Sequence, residues 1–224
     1  MDSIKIKNLC KAYDQFGSEN LVLKDITLSL PEKKLITLMG PSGCGKSTFL
    51  NILSGLDQAK SGEVLVFGEN ILEFSETQLT LYRRNTIGIV FQFFHLLPYL
   101  TALENVSVPL LLQGKKQKTA HAISAEILKR VGLGNKLHSK PRELSGGEQQ
   151  RVSISRAIVH NPKLILADEP TGNLDTNSTH EVMELLSNLV RDHSMTLLVV
   201  THNPEIGQRG DINLKMLDGV IHSS

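Results

Sequence analysis

Gly40-Pro41-Ser42-Gly43-Cys44-Gly45-Lys46-Ser47, followed by Thr48, constrains this chain more than any other stretch, because it satisfies G-x-x-x-x-G-K-[ST] at every fixed position. The pattern suits one chemistry. Glycines let the backbone curl so that successive N–H groups converge on an anion, Lys46 adds a cation, and the Ser47 hydroxyl suits a Mg2+ ion carried on a triphosphate. The flanks agree. The apolar run Leu35-Ile36-Thr37-Leu38-Met39 precedes the loop, and Phe49, Ile52, Leu53 and Leu56 recur behind it at helical spacing. The loop therefore joins a buried strand to a helix N-terminus, where an anion is favoured. A chance glycine-rich turn has no reason to bring strand, loop and helix into this register.

A length of 224 residues allows one sizeable domain carrying a smaller insertion. With 24 Lys+Arg against 23 Asp+Glu the formal charge is +1, so no overall field favours nucleic acid or an anionic membrane surface, and no nucleic-acid partner is expected. Lys115, Lys116 and Lys118 form a local basic cluster between helical segments and read as a solvated loop. Of the two cysteines, Cys44 lies inside the phosphate loop, where a disulfide to Cys10 would distort the anion-binding backbone. A reducing compartment follows, and a thiol at an electropositive helix N-terminus is expected to be reactive and shielded by nucleotide. The start, Met1 to Lys7, alternates apolar and polar residues like a strand and lacks the apolar core of a signal peptide. No run approaches the roughly 18 apolar residues of a membrane span. The expectation is a cytoplasmic protein whose link to a membrane is through a partner.

Strands are expected at Ile4 to Ile6, Ile26 to Leu30, Leu35 to Met39, Glu63 to Phe67 and Thr86 to Phe91. From Thr101 the character changes. Thr101 and Glu104 form a capping-box pattern, Pro109 should kink or end the helix they open, and Ala120, Ile123, Ile127, Leu128 and Val131 mark another helix ending at Gly132. Strand and helix alternate again from Leu164, with strands at Leu164 to Ala167 and Thr196 to Thr201 around a helix carrying Val182, Leu185, Leu186, Leu189 and Val190. The fold class is therefore α/β. Residues 1–92 and 161–224 would build a mainly parallel nucleotide-binding core with an N-terminal antiparallel β subdomain, and residues 93–160 an inserted helical subdomain.

Lys163 to Glu169 is an apolar strand ending in two adjacent carboxylates, the place where an open α/β sheet presents ligand groups. Asp168 suits the shell of the Mg2+ that P-loop enzymes use, and Glu169 can polarise an attacking water. Leu144-Ser145-Gly146-Gly147-Glu148-Gln149-Gln150-Arg151 opens a further helix ending near His160. Ser145 and Glu148 have capping-box spacing, which any helix can use. Paired glycines, however, cost stability and open a helix N-terminus to an approaching anion. One nucleotide is not easily wrapped by two such surfaces of one chain, so each chain is expected to offer this second motif to the nucleotide of a partner.

LSGGEQQR, placed between GPSGCGKST and LILADEP, resembles the signature of ATP-binding cassette (ABC) ATPases, and the resemblance covers nearly the whole chain. It implies a P-loop NTPase fold and a head-to-tail dimer enclosing two ATP molecules, each held by one subunit's phosphate loop and by Ser145, Gly146, Gly147 and Glu148 of the other. It further implies that Gln92 touches Mg2+, that His202 lies near the γ-phosphate, and that Asn173-Leu174-Asp175 lies at the dimer seam. Tyr13, 27 positions ahead of Gly40, looks like the aromatic that stacks on adenine. The run from Phe91 to Val106 and Glu169-Pro170-Thr171-Gly172-Asn173-Leu174-Asp175 are similar to the LolD, MacB and FtsE group, nearest the LolD-type pattern, although Phe94 stands where that branch commonly shows His. The implied protein is an ATPase peripheral to the cytoplasmic side of the inner membrane, powering separate permease subunits, with lipoprotein release as the first process and export of an amphipathic compound or peptide as the second; an FtsE-like regulatory role or a soluble ABC regulator is the alternative. Phe93, Phe94, Leu96, Leu97 and Tyr99 either form an exposed docking face or pack on the helical subdomain. A P-loop kinase would explain Lys46 and Asp168 but leaves Ser145 to Gly147 and His202 without a role.

Overall fold

A computed structural model describes residues 2–15 and 18–223, so Met1, part of the alternation at the chain start, lies outside them. Strands β1 (Asp2–Gln15) and β2 (Ser18–Pro31) pair antiparallel along their lengths and lead to β3 (Leu35–Met39), after which the phosphate loop opens helix α1 (Lys46–Leu53). The strands β4 (Ser61–Val66) and β5 (Glu69–Asn70) complete an antiparallel sheet of order β2-β1-β4-β5. Helix α2 (Glu76–Asn85), closed at its start by a Ser75–Gln78 capping box, then leads to β6 (Ile87–Val90). The helices α3 (Ala102–Leu112), α4 (Gln117–Arg130) and α5 (Gly146–Ile158) follow consecutively. The chain resumes alternation with β7 (Leu164–Asp168), α6 (Thr176–His193), β8 (Thr196–Thr201), the short α7 (Pro204–Gly207), and the hairpin β9 (Ile212–Leu217) and β10 (Val220–Ser223).

The second sheet has order β10-β9-β3-β8-β7-β6, and only its β9–β10 pair is antiparallel. Its central strands β3, β7 and β8 are near-continuous apolar runs because both faces are covered. On one side Phe49 and Ile52 of α1 pack with Ile4, Ile6 and Leu9 of the antiparallel sheet; on the other, Val182, Leu186 and Leu189 of α6 pack with Ile154 of α5. The helices α3, α4 and α5 share a third core around Val106, Leu110, Leu128 and Val152.

Parallel pairing has a consequence for function. Met39 is opposite Thr201, Asp168 opposite Val200 and Val90 opposite Ala167, so the C-terminal ends of β3, β8, β7 and β6 lie along one edge. That edge is where open α/β sheets bind ligands. Of the two outcomes expected at Pro109, an end to the helix is excluded. Pro109 does not end α3, which runs on to Leu112 and stops at Gly114 with φ 82°; the Thr101–Glu104 box and the packing of Val106 and Leu110 hold the helix despite the missing N–H.

Candidate functional site

The phosphate loop is drawn closed by its own lysine. Lys46 Nζ donates to the carbonyls of Gly40 at 2.8 Å and Pro41 at 2.9 Å. Gly45 is the N-cap of α1 with φ 108°, and no side chain caps that end. A Cβ at Gly45 would meet Leu23 Cδ2 at 2.9 Å and the Val22 carbonyl at 3.1 Å, so both its dihedral and its surroundings demand glycine. The result is a helix N-terminus with free N–H groups and the positive end of a dipole, ready for an anion. The loop residues Pro41 to Cys44 also line a polar cavity of about 390 Å³ with Asn20, Lys24 and Asp218.

Cys44 departs from expectation. Both cysteines are free thiols, as anticipated, but the Cys44 side chain is only 7% exposed and belongs to the core beneath the loop. Its sulfur lies beneath the loop, and burial removes the basis for a readily labelled thiol.

At the neighbouring strand end, Asp168 Oδ1 is buried without a hydrogen-bond partner among the described residues. Burial pushes the Asp168 carboxyl above its ordinary range; the Ser47 hydroxyl and Lys46 offset part of this and the Glu169 charge adds to it. A buried carboxylate oxygen without a partner, beside the Ser47 hydroxyl, offers two oxygen ligands of the kind a hard divalent cation takes.

Glu169 is held by both its backbone and its side chain. Its φ is 45°, its N–H donates to the Val200 carbonyl at 2.9 Å, and its carbonyl accepts from Gly172 at 3.0 Å. A left-handed glutamate is strained, and such strain persists only where the surroundings enforce it. Its Oε1 lies 2.8 Å from His202 Nδ1 and its Oε2 accepts from the Thr201 hydroxyl at 3.2 Å. A carboxylate only accepts, so in this pair Nδ1 carries a proton. The pair joins the ends of β7 and β8, as the parallel register requires.

Gln92 follows β6, and its side chain lies against Gly172, where a Cβ would be 2.8 Å from Nε2. The Gln92 carbonyl accepts from Asn173 Nδ2 at 3.0 Å. Beyond it Phe94 and His95 both have positive φ, 58° and 46°. Arg156 on α5 spans this bend, donating to the His95 carbonyl at 2.6 Å and the Phe94 carbonyl at 2.9 Å. A sequence reading had no means of finding this clamp, since its partners are backbone oxygens. The apolar run here divides: Leu96 packs on the helical core, while Phe93, Leu97 and Tyr99 are exposed, Tyr99 to 87%. Next to it a groove of about 540 Å³ runs between α2 and the end of α3, lined by Arg84, Phe91, His95, Leu112 and Arg156.

At the start of α5, Ser145 Oγ accepts from Glu148 N at 3.2 Å and Glu148 Oε2 accepts from Ser145 N at 2.8 Å, completing a capping box. The glycines differ. A Cβ on Gly147 would lie 2.7 Å from Ser178 Oγ on α6, whereas one on Gly146 would make only ordinary contact with Leu174 at 3.5 Å. Asp175 caps α6, accepting from Ser178 N at 2.9 Å and Ser178 Oγ at 2.7 Å. Among the described residues no hydrogen bond joins Ser145 to Glu148 with the phosphate loop. Tyr13 is 37% exposed, and its hydroxyl donates to Asp57 Oδ2 at 2.5 Å.

A family model described as ABC transporter matches residues 23–172. The chain is 46% identical over 216 residues to the lipoprotein-releasing system ATP-binding protein LolD of Geobacter metallireducens, covering 96% of each. It is 43% identical to an uncharacterized ABC transporter ATP-binding protein of Methanocaldococcus jannaschii, covering 97% of each. Among solved structures, the dimeric ABC transporter cassette MJ0796 superposes with a TM-score of 0.91 at 39% identity, covering 98% of this chain and 96% of that one. A post-hydrolysis state of the same cassette, bound to ADP and phosphate, also superposes at 0.91. The phosphate loop, the paired carboxylates and the match along nearly the whole chain lead to one conclusion: this chain belongs to the ABC transporter family and is an ATP-hydrolysing cassette of it.

Proposed function

We propose that this chain powers a separate membrane permease of the LolD type, working as a head-to-tail pair at the cytoplasmic face of the inner membrane, with lipoprotein release as its process. The observation that carries the catalytic part is the Glu169–His202 pair beside Asp168 and the phosphate loop, on one edge of a parallel sheet. In this reading Gly43 to Thr48 hold the triphosphate, Lys46 turns from its own loop carbonyls to the phosphates, and Tyr13 stacks on the adenine. Asp168, Ser47 and Gln92 would hold Mg2+, which when bound neutralises charge on the β- and γ-phosphate oxygens. Glu169 accepts the proton of the water attacking the γ-phosphorus, the bond to the β-phosphate oxygen breaks, and ADP and phosphate leave; His202 orients Glu169. Such a base is worth about 10²- to 10⁴-fold in rate.

Ser145, Gly146, Gly147 and Glu148 act on the partner copy's nucleotide, with Asp175 at the seam. The dimeric state of the MJ0796 cassette supports that division. The permease engages the groove beside Phe91 and His95, where Phe93, Leu97 and Tyr99 stand exposed. No helix among the described residues is long and apolar enough to cross a membrane. The LolD-type process rests on the relative from Geobacter metallireducens. The test is affinity capture of tagged Glu169→Gln with ATP and Mg2+ from gently solubilised membranes. Co-recovery of a permease with few spans and a large extracytoplasmic domain supports the reading; an ATP-bound protein that brings only soluble partners overturns it.

A further inference from the structure

Two side chains outside the phosphate loop, Lys11 and Asp57, form a compact charged bracket around Tyr13. Lys11 is buried, and its Nζ donates to Asp57 Oδ1 at 2.6 Å and to the Gln58 carbonyl at 2.7 Å. The same ammonium lies 4.6 Å from the centre of the Tyr13 ring, a cation over one aromatic face. The other Asp57 oxygen takes the Tyr13 hydroxyl. Burial pushes the Asp57 carboxyl up, but its bonds from Lys11 and Tyr13 outweigh that and hold it below its ordinary range, so the acceptor stays charged. The bracket is fixed to the phosphate site: Asp57 N donates to the Asn51 carbonyl of α1 at 3.2 Å, and the Thr48 hydroxyl lies beside the Tyr13 phenol.

A tyrosine packed only for the core needs none of this. A partly buried ion pair costs desolvation and is weak evidence for stability. Here it is spent on orienting one ring that stays more than a third exposed. Lys11 lies over one face of a ring that remains partly open to solvent, at a position set relative to α1.

We propose that Lys11 and Asp57 are positioning residues for the nucleotide base, holding Tyr13 as a pre-oriented platform so that base and triphosphate are bound by one rigid unit. This rests on the reading of Tyr13 as the adenine-stacking residue. Pre-orientation lowers the cost of immobilising a side chain on binding, worth roughly 2- to 10-fold in affinity, while the stack itself is worth roughly 5- to 100-fold.

The test compares the dissociation constants of ATP and of inorganic tripolyphosphate, which carries the phosphates without the base, by calorimetry on the whole chain. Three variants are used: Tyr13→Ala, Tyr13→Phe, and the double Lys11→Met with Asp57→Asn, which removes both charges together. The expected result is ATP weakened roughly 5- to 100-fold by Tyr13→Ala and roughly 2- to 10-fold by the other two, with tripolyphosphate unchanged throughout. If Tyr13→Ala weakens ATP while Tyr13→Phe and the double variant bind it like the parent, the bracket does not position the ring and the proposal fails alone. If Tyr13→Ala also binds ATP normally, the stacking reading fails and takes the proposal with it. Equal weakening of ATP and tripolyphosphate would make the bracket a support of the loop, and would overturn the proposal as well.

Discussion

The chain contains two glycine-rich helix starts that look alike in sequence and differ in structure. At α1 the cap is Gly45, no side chain closes the end, and Lys46 bonds its own loop. At α5 Ser145 and Glu148 satisfy each other's backbone in a complete capping box. The first end is left open by its own side chains; the second is closed within its own chain. Glycine also serves different ends in the two: backbone curvature at Gly45, and close helix packing against Ser178 at Gly147. A glycine-rich N-terminus is thus an anion site when its cap is missing, and in α5 it becomes one only if an approaching ligand completes what the capping box leaves open.

The largest expected effect is at the uncapped end. Lys46→Ala should lose ATP binding, so that saturating Mg·ATP, which at about 100 times Kd adds about 2.7 kcal/mol of stability to the parent, no longer raises the melting temperature. Retained ATP stabilisation in that variant would remove the distinction between the two ends. Next, Glu169→Gln should keep ATP binding and lose about 10²- to 10⁴-fold in turnover, measured as phosphate release; near-normal turnover would remove Glu169 as the base.

The smaller effects are at α5. Gly147→Ala should destabilise the chain by about 1–3 kcal/mol through the clash with Ser178, while Gly146→Ala should stay within about 0.5 kcal/mol, both read from denaturant midpoints. Equal costs would mean that the glycines are there for backbone freedom alone. Ser145→Ala should cost about 1 kcal/mol, or roughly 2–4 °C in melting temperature, through the lost cap. No change would mean that the capping box contributes nothing to the closed end.

Much of this was legible in the chain. The phosphate loop, the strand ends at Asp168 and Thr201 and the capping boxes at Thr101 and Ser145 are local patterns, and the structure has them where the residues indicate. The α/β class follows from the same alternation of apolar strands and amphipathic helices. What was not legible depends on register and backbone. That Glu169 meets His202 follows from β7 and β8 pairing side by side, which no single segment encodes. The α5 clamp by Arg156 uses carbonyls, which carry no residue identity. The C-terminal hairpin β9–β10 is short, and the Asp218–Gly219 turn alone does not say which sheet it joins. Cys44 misled because a motif position says which way the backbone faces, not where the side chain is buried.

The central claim is that the closed end of α5 in one copy completes the open end of α1 in another. Sedimentation velocity of Glu169→Gln, with and without ATP and Mg2+, tests it most directly. The account predicts a monomer without nucleotide and, with it, a dimer holding one ATP per chain; a chain that binds ATP to saturation yet sediments as a monomer at every concentration would contradict it.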